Sequence, residues 1–204
     1  MNMVSLGSKS FQGRPVAAGR AGTIAALDVG TRKISCFIAR IEPGRMANRH
    51  APVRVIGIGH QVSRGIRAGA VVDMDAAEEA IRVAVDAAER MAGVTIRDVV
   101  VGVSGAEPKS QTVGVKASVP GPEVTDGDLA RLISYAQTNF QPEGRDVLHA
   151  IPTNYSVDGS RGVRDPRGMF GEKLGVDVHM VSVQRGPLRN LELCIERCHL
   201  SVSG

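Results

Sequence analysis

The sequence contains no tryptophan, and aromatic residues make up only 3% of its 204 residues. Proteins that bind single-stranded nucleic acids commonly stack the bases on aromatic side chains, so the composition disfavours this class. The formal net charge is only +4 and its basic residues are spread along the chain. This charge permits contact with an anionic partner but does not predict one, and we expect no nucleic-acid partner.

Long apolar runs and a paired cysteine framework are also missing. No run of about 18 apolar residues occurs, so the sequence predicts no membrane-spanning helix. The three cysteines follow no disulfide spacing, which is typical of a reducing, cytoplasmic environment. The first residues contain Lys9, Arg14 and Arg20 without an acid, and they lack the apolar segment of a signal peptide. We therefore interpret residues 1–22 as a disordered basic tail.

From Thr23 onward the apolar pattern predicts a mixed α/β fold. The stretches "TIAALDV", "KISCFIARI" and "VRVIGIG" predict three strands, whose order predicts an antiparallel meander. The stretch "DAAEEAIRVAVDAAERMAG" predicts a helix with Asp75 and Glu78 as a capping box and Gly93 as its stop. Its small interior residues predict close packing, and "DVVVGVSG" predicts a further strand. The predicted buried stripe of the helix is Ala77, Ile81, Ala84, Ala88 and Met91.

The pattern changes after Gly105, where glycine, proline and threonine become frequent. A weakly alternating edge region precedes the predicted helix "TDGDLARLISYAQTNF", which Thr125 caps. Pro152 within "RDVLHAIPTNYSVDG" predicts an edge or a bulge, "RGVRDPRGMFGEK" a loop, and "LGVDVHMVSV" a strand. The last helix, "GPLRNLELCIERCHL", has Pro187 at its predicted first position. Such a helix normally feeds another strand, which we expect to be absent from the remaining "SVSG".

The stretch "ALDVGTRKI" predicts a phosphate-binding hairpin. The amides of Gly30, Thr31 and Arg32 can form a nest for phosphate oxygens, since glycine allows close approach of the backbone. The Thr31 hydroxyl and the Lys33 ammonium add donors. Asp28 can hold a Mg²⁺ ion, which keeps most of its water ligands. An isolated motif of this kind is equally compatible with a plain hairpin that has a surface lysine.

Other residues have weaker functional interpretations. Cys194, Cys198 and His199 could hold a metal, but the helical spacing of the cysteines favours buried apolar packing. His149 and His179 lie in apolar strand runs and are interpreted as structural. No nucleophile triad or pair of carboxylates stands out, so no catalytic residue is predicted. Six basic residues around glycine-rich loops have two interpretations: solvated loop charge or, alternatively, a surface for an acidic partner. They are Arg64, Arg67, Arg161, Arg164, Arg167 and Lys173.

Several long stretches resemble the FtsA family of bacterial cell-division proteins, within the actin-like ATPase superfamily. "SRGIRAGAVVDMD" and "VLHAIPTNYSVDG" are far more specific than the phosphate hairpin, and the resemblance covers the chain from about Thr23 onward. It implies an actin-like (ribonuclease-H-like) first lobe with an inserted 1C-type α/β subdomain, and no second lobe. The implied domains are a tail (1–22), the first part of subdomain 1A (23–104), subdomain 1C (105–182) and a return to 1A (183–204). Further matching stretches are "VGVSGAEPKS", "GVRDPRGMFGEKLGVDVHMVS" and "NLELCIERCHL".

The resemblance also implies a function. The family is cytoplasmic, binds ATP with Mg²⁺, polymerises into filaments and links FtsZ filaments to the inner membrane at the division site. It also recruits later divisome proteins. By position, the candidate cofactor-binding residues form the first phosphate loop, and the 1C surface would contact neighbouring copies and the FtsN cytoplasmic tail. The family's second phosphate loop, FtsZ-binding lobe and membrane helix lie beyond the position of Gly204. We therefore expect an N-terminal fragment with poor ATP binding and weak ATPase activity at most.

Two alternatives from the same superfold stay open. A sugar- or acyl-kinase-like phosphotransferase would use Asp28 and Lys33, but it would need a catalytic carboxylate in a second lobe and would lack a 1C-like insertion. A PilM-like pilus-assembly protein would share the subdomain layout. That family should not carry "SRGIRAGAVVDMDAA" so fully, and fold similarity alone does not decide function.

Overall fold

A computed structural model of the protein describes residues 22–41, 53–140 and 142–204, which form two compact units. The insert unit is the continuous segment Glu107–Gln184, and the parent unit contains the described residues up to Ala106 together with Arg185–Gly204. The predicted tail lies outside the described residues except for Gly22, which begins the first strand. The predicted loop "EPGRMANRHAP" lies outside them too. Within the described ranges, no helix is both long and apolar enough to cross a membrane.

The parent unit is built on a five-stranded sheet. The predicted meander is confirmed, because its three strands pair antiparallel, whereas the two remaining strands pair parallel with their neighbours. In spatial order, with numbers that follow the chain, the strands are β11 (Ser201–Val202), β6 (Asp98–Gly102), β1 (Gly22–Val29), β2 (Lys33–Ile41) and β3 (Val53–Val62). A small hairpin of β4 (Ile66–Arg67) and β5 (Ala70–Val71) follows β3.

Helix α1 (Met74–Ala92) begins earlier than its capping pattern predicted. The Asp73 side chain accepts a hydrogen bond of 3.1 Å from the Ala76 amide, so the predicted capping box of Asp75 and Glu78 is wrong. The predicted stop is confirmed. Gly93 adopts a left-handed conformation, with φ at 67°, and its amide donates to the carbonyl of Glu89.

Helix α1 packs on β3 at backbone distance, as its small residues predicted. A Cβ atom added to Gly59 would lie 1.9 Å from the Ala84 carbonyl oxygen, and one added to Gly57 would lie 2.3 Å from that of Ala88. The paired glycines therefore allow the helix to approach the sheet closely. Met91 is 64% exposed, so its predicted place in the buried stripe is wrong.

Helix α3 (Arg185–Arg197) shares the core of the parent unit with α1 and the sheet. It begins two residues before Pro187, the predicted first position. Its buried residues are Leu188, Leu191, Cys194 and Ile195. The strand expected to be absent after this helix is present in short form, because β11 pairs parallel with β6. The Val101 amide also donates to the Gly204 carbonyl at 2.8 Å, which extends the pairing.

The insert unit is a four-stranded antiparallel sheet with one helix on one face. Its strands in spatial order are β7 (Lys109–Ser118), β10 (Lys173–Gln184), β8 (Arg145–Val157) and β9 (Ser160–Val163). β7 is an edge strand, as predicted. The prediction of a loop for "RGVRDPRGMFGEK" is wrong where its first residues belong to β9. A register shift next to Pro152 in the β8–β10 pairing confirms the predicted bulge.

Helix α2 (Asp126–Asn139) covers one face of the insert sheet. Thr125 caps it as predicted, in a capping box with Asp128. Hydrogen bonds from the Thr125 hydroxyl and amide, together with Arg131, lower the pKa of the Asp128 carboxyl. The residues that α2 buries against the sheet are Leu129, Leu132 and Ala136.

The insert unit begins and ends at one point. The Gln184 Nε2 atom donates to the Glu107 carboxylate at 2.7 Å. Arg145 bridges the same two segments, because its guanidinium donates to the Glu107 carbonyl at 2.5 Å and to the carbonyl of the buried Ser182 at 2.9 Å. Arg145 Nε also donates to the Ser182 hydroxyl at 3.0 Å. The entry and exit segments are therefore tied together within the insert unit.

Candidate functional site

The predicted phosphate-binding residues lie at the turn between β1 and β2. Asp28 is near the end of β1, where it is opposite Ser35 on β2 and Gly102 on β6. Its neighbours Leu27 and Val29 are buried in the parent core, so strand alternation directs Asp28 to the opposite face. The side chains of Asp28, Thr31, Arg32 and Lys33 are all exposed.

The backbone of this turn leaves two amides available. The Gly30 amide donates to the Lys33 carbonyl at 3.0 Å, which closes the turn, so the expected third nest amide is already used. The amides of Thr31 and Arg32 have no hydrogen-bond partner among the described residues. The Arg32 carbonyl accepts a bond of 3.0 Å from the Ser63 amide. The Ser63 hydroxyl is buried there without a partner in the described part of the chain, which leaves an unused donor beside the turn.

The β4–β5 hairpin supports the turn from outside the sheet. The Gly69 amide donates to the Thr31 hydroxyl oxygen at 3.0 Å. Gly69 has a φ of 75°, and a Cβ atom on it would lie 2.3 Å from the Cα atom of Gly105. The "SRGIRAGAVV" stretch and the end of "DVVVGVSG" therefore meet at the predicted phosphate hairpin. Sequence reasoning missed this role of Gly69 and Gly105, although glycine at both positions was the available signal.

The acidic and basic side chains of the turn are unpaired. Neither the Asp28 carboxylate nor the Lys33 ammonium makes a hydrogen bond or ion pair within the described ranges. Gly102 lies beside Asp28, and a Cβ atom there would be at ordinary contact distance, 3.5 Å, from Asp28 Oδ1. No group of three histidine, cysteine, aspartate or glutamate side chains that could hold a metal occurs among the described residues. A single carboxylate fits a Mg²⁺ ion that keeps most of its waters.

The donor set therefore fits a phosphate group. Two free amides and the Lys33 ammonium can donate to phosphate oxygens, and Asp28 can accept from water on a phosphate-bound Mg²⁺. The Thr31 hydroxyl was expected only to donate to phosphate. In the structure its oxygen accepts a hydrogen bond from the Gly69 amide, so Thr31 also positions the β4–β5 turn.

The cysteines pack as small apolar residues. Cys194 is buried in the parent core, and the Cys198 thiol donates to the Cys194 carbonyl at 3.4 Å. Burial raises the pKa of the Cys194 thiol to about 11 and that of Cys198 to about 12. Thiolate is the form that binds metals and reacts as a nucleophile, so these values disfavour both roles at neutral pH.

The two histidines differ from each other. His179 is partly buried and lies 3.2 Å from the Thr112 hydroxyl through Nδ1, as a satisfied structural histidine should. His149 is exposed, so its interpretation as a packed structural histidine is wrong. Its place in an apolar run did not reveal that its side of the strand faces solvent.

A family model described as "SHS2 domain inserted in FTSA" matches residues 105–182. The cell division protein FtsA of Agrobacterium fabrum is 43% identical over 195 residues, covering 94% of this chain and 44% of that protein. FtsA of Streptococcus pneumoniae is 34% identical, covering 90% of this chain and 39% of that protein. FtsA of Pseudomonas aeruginosa is 32% identical, covering 88% and 42%. The chain thus spans less than half the length of these curated relatives.

The architecture also matches a solved structure, the PilM-PilN type IV pilus biogenesis complex. The TM-score is 0.56 at 11% identity, and the match covers 88% of this chain and 45% of the other. At that identity the likeness shows the fold alone. Together with the inserted SHS2 domain, it confirms the predicted mixed α/β, partly actin-like architecture.

Proposed function

We propose that the chain acts at the division site as an FtsA-like filament component, because it resembles the N-terminal part of the bacterial cell-division protein FtsA. The 43% identity over 195 residues to an FtsA protein supports this proposal most directly. In this role the full-length protein would link FtsZ filaments to the cytoplasmic face of the inner membrane and help recruit later division proteins. The parent unit would serve as subdomain 1A and the insert unit as subdomain 1C. The 1C surface would contact neighbouring copies and the FtsN tail.

Localisation in cells tests this role. We expect a fluorescent fusion of the chain, expressed in Agrobacterium fabrum, to concentrate at mid-cell together with a labelled FtsZ, because its 1A and 1C units would contact the full-length FtsA of the host. The host is chosen because its FtsA is 43% identical to this chain. The fluorescent protein alone, at the same expression level, is the control. Uniform fluorescence of the fusion in dividing cells that have a normal FtsZ ring would contradict the proposal.

The β1–β2 turn would bind the phosphates of ATP. The free amides of Thr31 and Arg32 and the Lys33 ammonium would donate to phosphate oxygens, while Asp28 would orient water on Mg²⁺. ATP would supply the anionic phosphates that these donors and Mg²⁺ would bind. Gly30 would keep the turn closed through its bond to Lys33, and Thr31 would hold the Gly69 turn beside the site.

Nuclear magnetic resonance of the isotope-labelled chain tests the phosphate site even if affinity is low. We expect Mg-ATP to shift the amide signals of Thr31 and Arg32 in a saturable manner. Lys33→Ala should weaken binding about tenfold, because one charge-assisted hydrogen bond is lost. Asp28→Asn should reduce the dependence on Mg²⁺. The control Lys109→Ala removes an exposed lysine from the insert unit and should leave the titration unchanged. Shifts that avoid the turn, or that Lys33→Ala does not affect, would refute this site.

A further inference from the structure

The insert sheet has a shallow depression on the face opposite α2. Strand residues alternate between faces, so the residues next to the buried Leu174 and Val176 point away from the helix. The depression has a volume of about 210 Å³ and includes Gly114 of β7 and Gly175 of β10 in its floor. A Cβ atom on Gly175 would lie 2.4 Å from the Ser156 hydroxyl oxygen. Glycine at this position therefore keeps the floor open.

Two cations flank this depression in one cross-strand row. Lys116 on β7 is opposite Gly175 on β10, which is opposite Ser156 on β8, which in turn pairs with Arg161 on β9. Three strand spacings of about 4.8 Å separate the backbones of the two cations by about 14 Å. Both side chains line the depression and are exposed. Their long, flexible stems allow both charges to reach a group bound between them.

These cations have no partner of their own. The side chains of Lys116 and Arg161 make no ion pair or hydrogen bond among the described residues. Two other basic residues of the unit are already paired, since Arg167 lies 2.7 Å from Asp126 and Arg131 lies 2.7 Å from Asp128. The charge of the flanking pair is therefore available to an external anion.

The polar groups beside the cations favour a carboxylate over a phosphate. Asp177 also lines the depression and accepts a hydrogen bond of 3.2 Å from the Asn154 side chain. Two cations and one carboxylate leave a surplus of one positive charge, which matches a single carboxylate, whereas Asp177 would repel a phosphate dianion. Asn154 and Ser156 are additional hydrogen-bonding groups along the depression.

We propose that this surface, defined by Lys116, Gly175, Ser156 and Arg161, docks an acidic, extended segment of a partner protein. A glutamate or aspartate carboxylate would lie over Gly175 between the two cations, and charge complementarity would fix its position. The inference depends on the insert unit alone, so it stands or falls independently of the phosphate hairpin.

Fluorescence anisotropy with a labelled hexaglutamate peptide and the full chain tests the docking surface. At about 50 mM salt, where screening is modest, we expect saturable binding. Lys116→Ala and Arg161→Ala should each weaken it about fivefold. The double variant Gly175→Ala with Ser156→Ala keeps the charge but fills the floor, and it should weaken binding to a similar extent. Circular dichroism of each variant should match that of the original chain.

Charge-matched and chemical controls decide the outcome. Arg164→Ala removes the same charge from an exposed loop residue outside the depression and should change affinity less than twofold. Equal weakening by Arg164→Ala would show diffuse attraction and overturn the proposal. Absence of peptide binding would overturn it too. Competition by inorganic polyphosphate at lower concentration than by hexaglutamate would assign the site to phosphate instead of a peptide carboxylate.

Discussion

Gly59→Ala is expected to destabilise the parent unit by about 3 kcal/mol, at the upper end of overpacking effects. The new Cβ atom would lie 1.9 Å from the Ala84 carbonyl oxygen and 2.8 Å from the Ala88 amide nitrogen. Both are backbone atoms of α1, so no rotamer change relieves the contact. The helix has to move away from β3, and the buried alanines then lose their packing against the sheet.

The measurement is urea denaturation followed by circular dichroism, combined with the rate of Cys36 labelling. Cys36 is fully buried in the same core, so its reaction with a thiol reagent reports opening of the parent unit. Gly186→Ala is the matched control, because nothing lies within 4 Å of its added Cβ atom in the first turn of α3. It should be neutral or stabilise by up to about 1 kcal/mol. Equal midpoints for the two variants would contradict the close packing of α1 on β3.

Gly69→Ala is expected to destabilise the parent unit by about 2–3 kcal/mol and to displace the β4–β5 turn from the phosphate hairpin. Its φ of 75° disfavours a residue with a Cβ atom, and that atom would lie 2.3 Å from Gly105. Relief of the contact moves the Gly69 amide away from Thr31 Oγ1. Urea denaturation measures the loss of stability, and amide hydrogen exchange at residue 69 reports the broken bond.

Thr31→Val separates the two contributions of Gly69→Ala. It removes the acceptor of the Gly69 amide without crowding the Gly69–Gly105 contact, so the expected loss is about 1 kcal/mol. If Gly69→Ala costs no more than Thr31→Val, backbone crowding between Gly69 and Gly105 is not the dominant contribution.

Local sequence patterns were sufficient to predict the long strands and helices of the fold. The meander follows from three apolar runs with short connections, and the close approach of α1 follows from its small residues. The N-cap of α1 was misplaced because Asp73 and Asp75 both match a local capping pattern. The structure chooses Asp73, whose side chain reaches the Ala76 amide. Strands β9 and β11 have four and two residues, too few for periodicity, and only their pairing partners define them.

The sequence predicted which residues make up the candidate site, but not the contacts that hold them in place. The motif placed Asp28 and Lys33 on one turn because they are five residues apart across a tight hairpin. It could not show that the Gly30 amide is used within the turn or that Thr31 accepts from Gly69, 38 residues away. Such contacts depend on where the β4–β5 turn lies in space. The ion pairing of the basic residues was likewise hidden, since only the structure shows that the Arg167 side chain is paired and that of Arg161 is not, among the described residues.

The bridge from Arg145 to both ends of the insert unit has an evolutionary consequence. Because Glu107 and Gln184 are held side by side, a gene segment encoding this unit can enter a parent gene without forcing apart the chain on either side of the insertion. The same geometry makes the segment exchangeable, since any module whose termini are equally close can replace it at little cost in loop closure. Related scaffolds can therefore acquire different accessory modules at this position while the parental sheet is inherited unchanged.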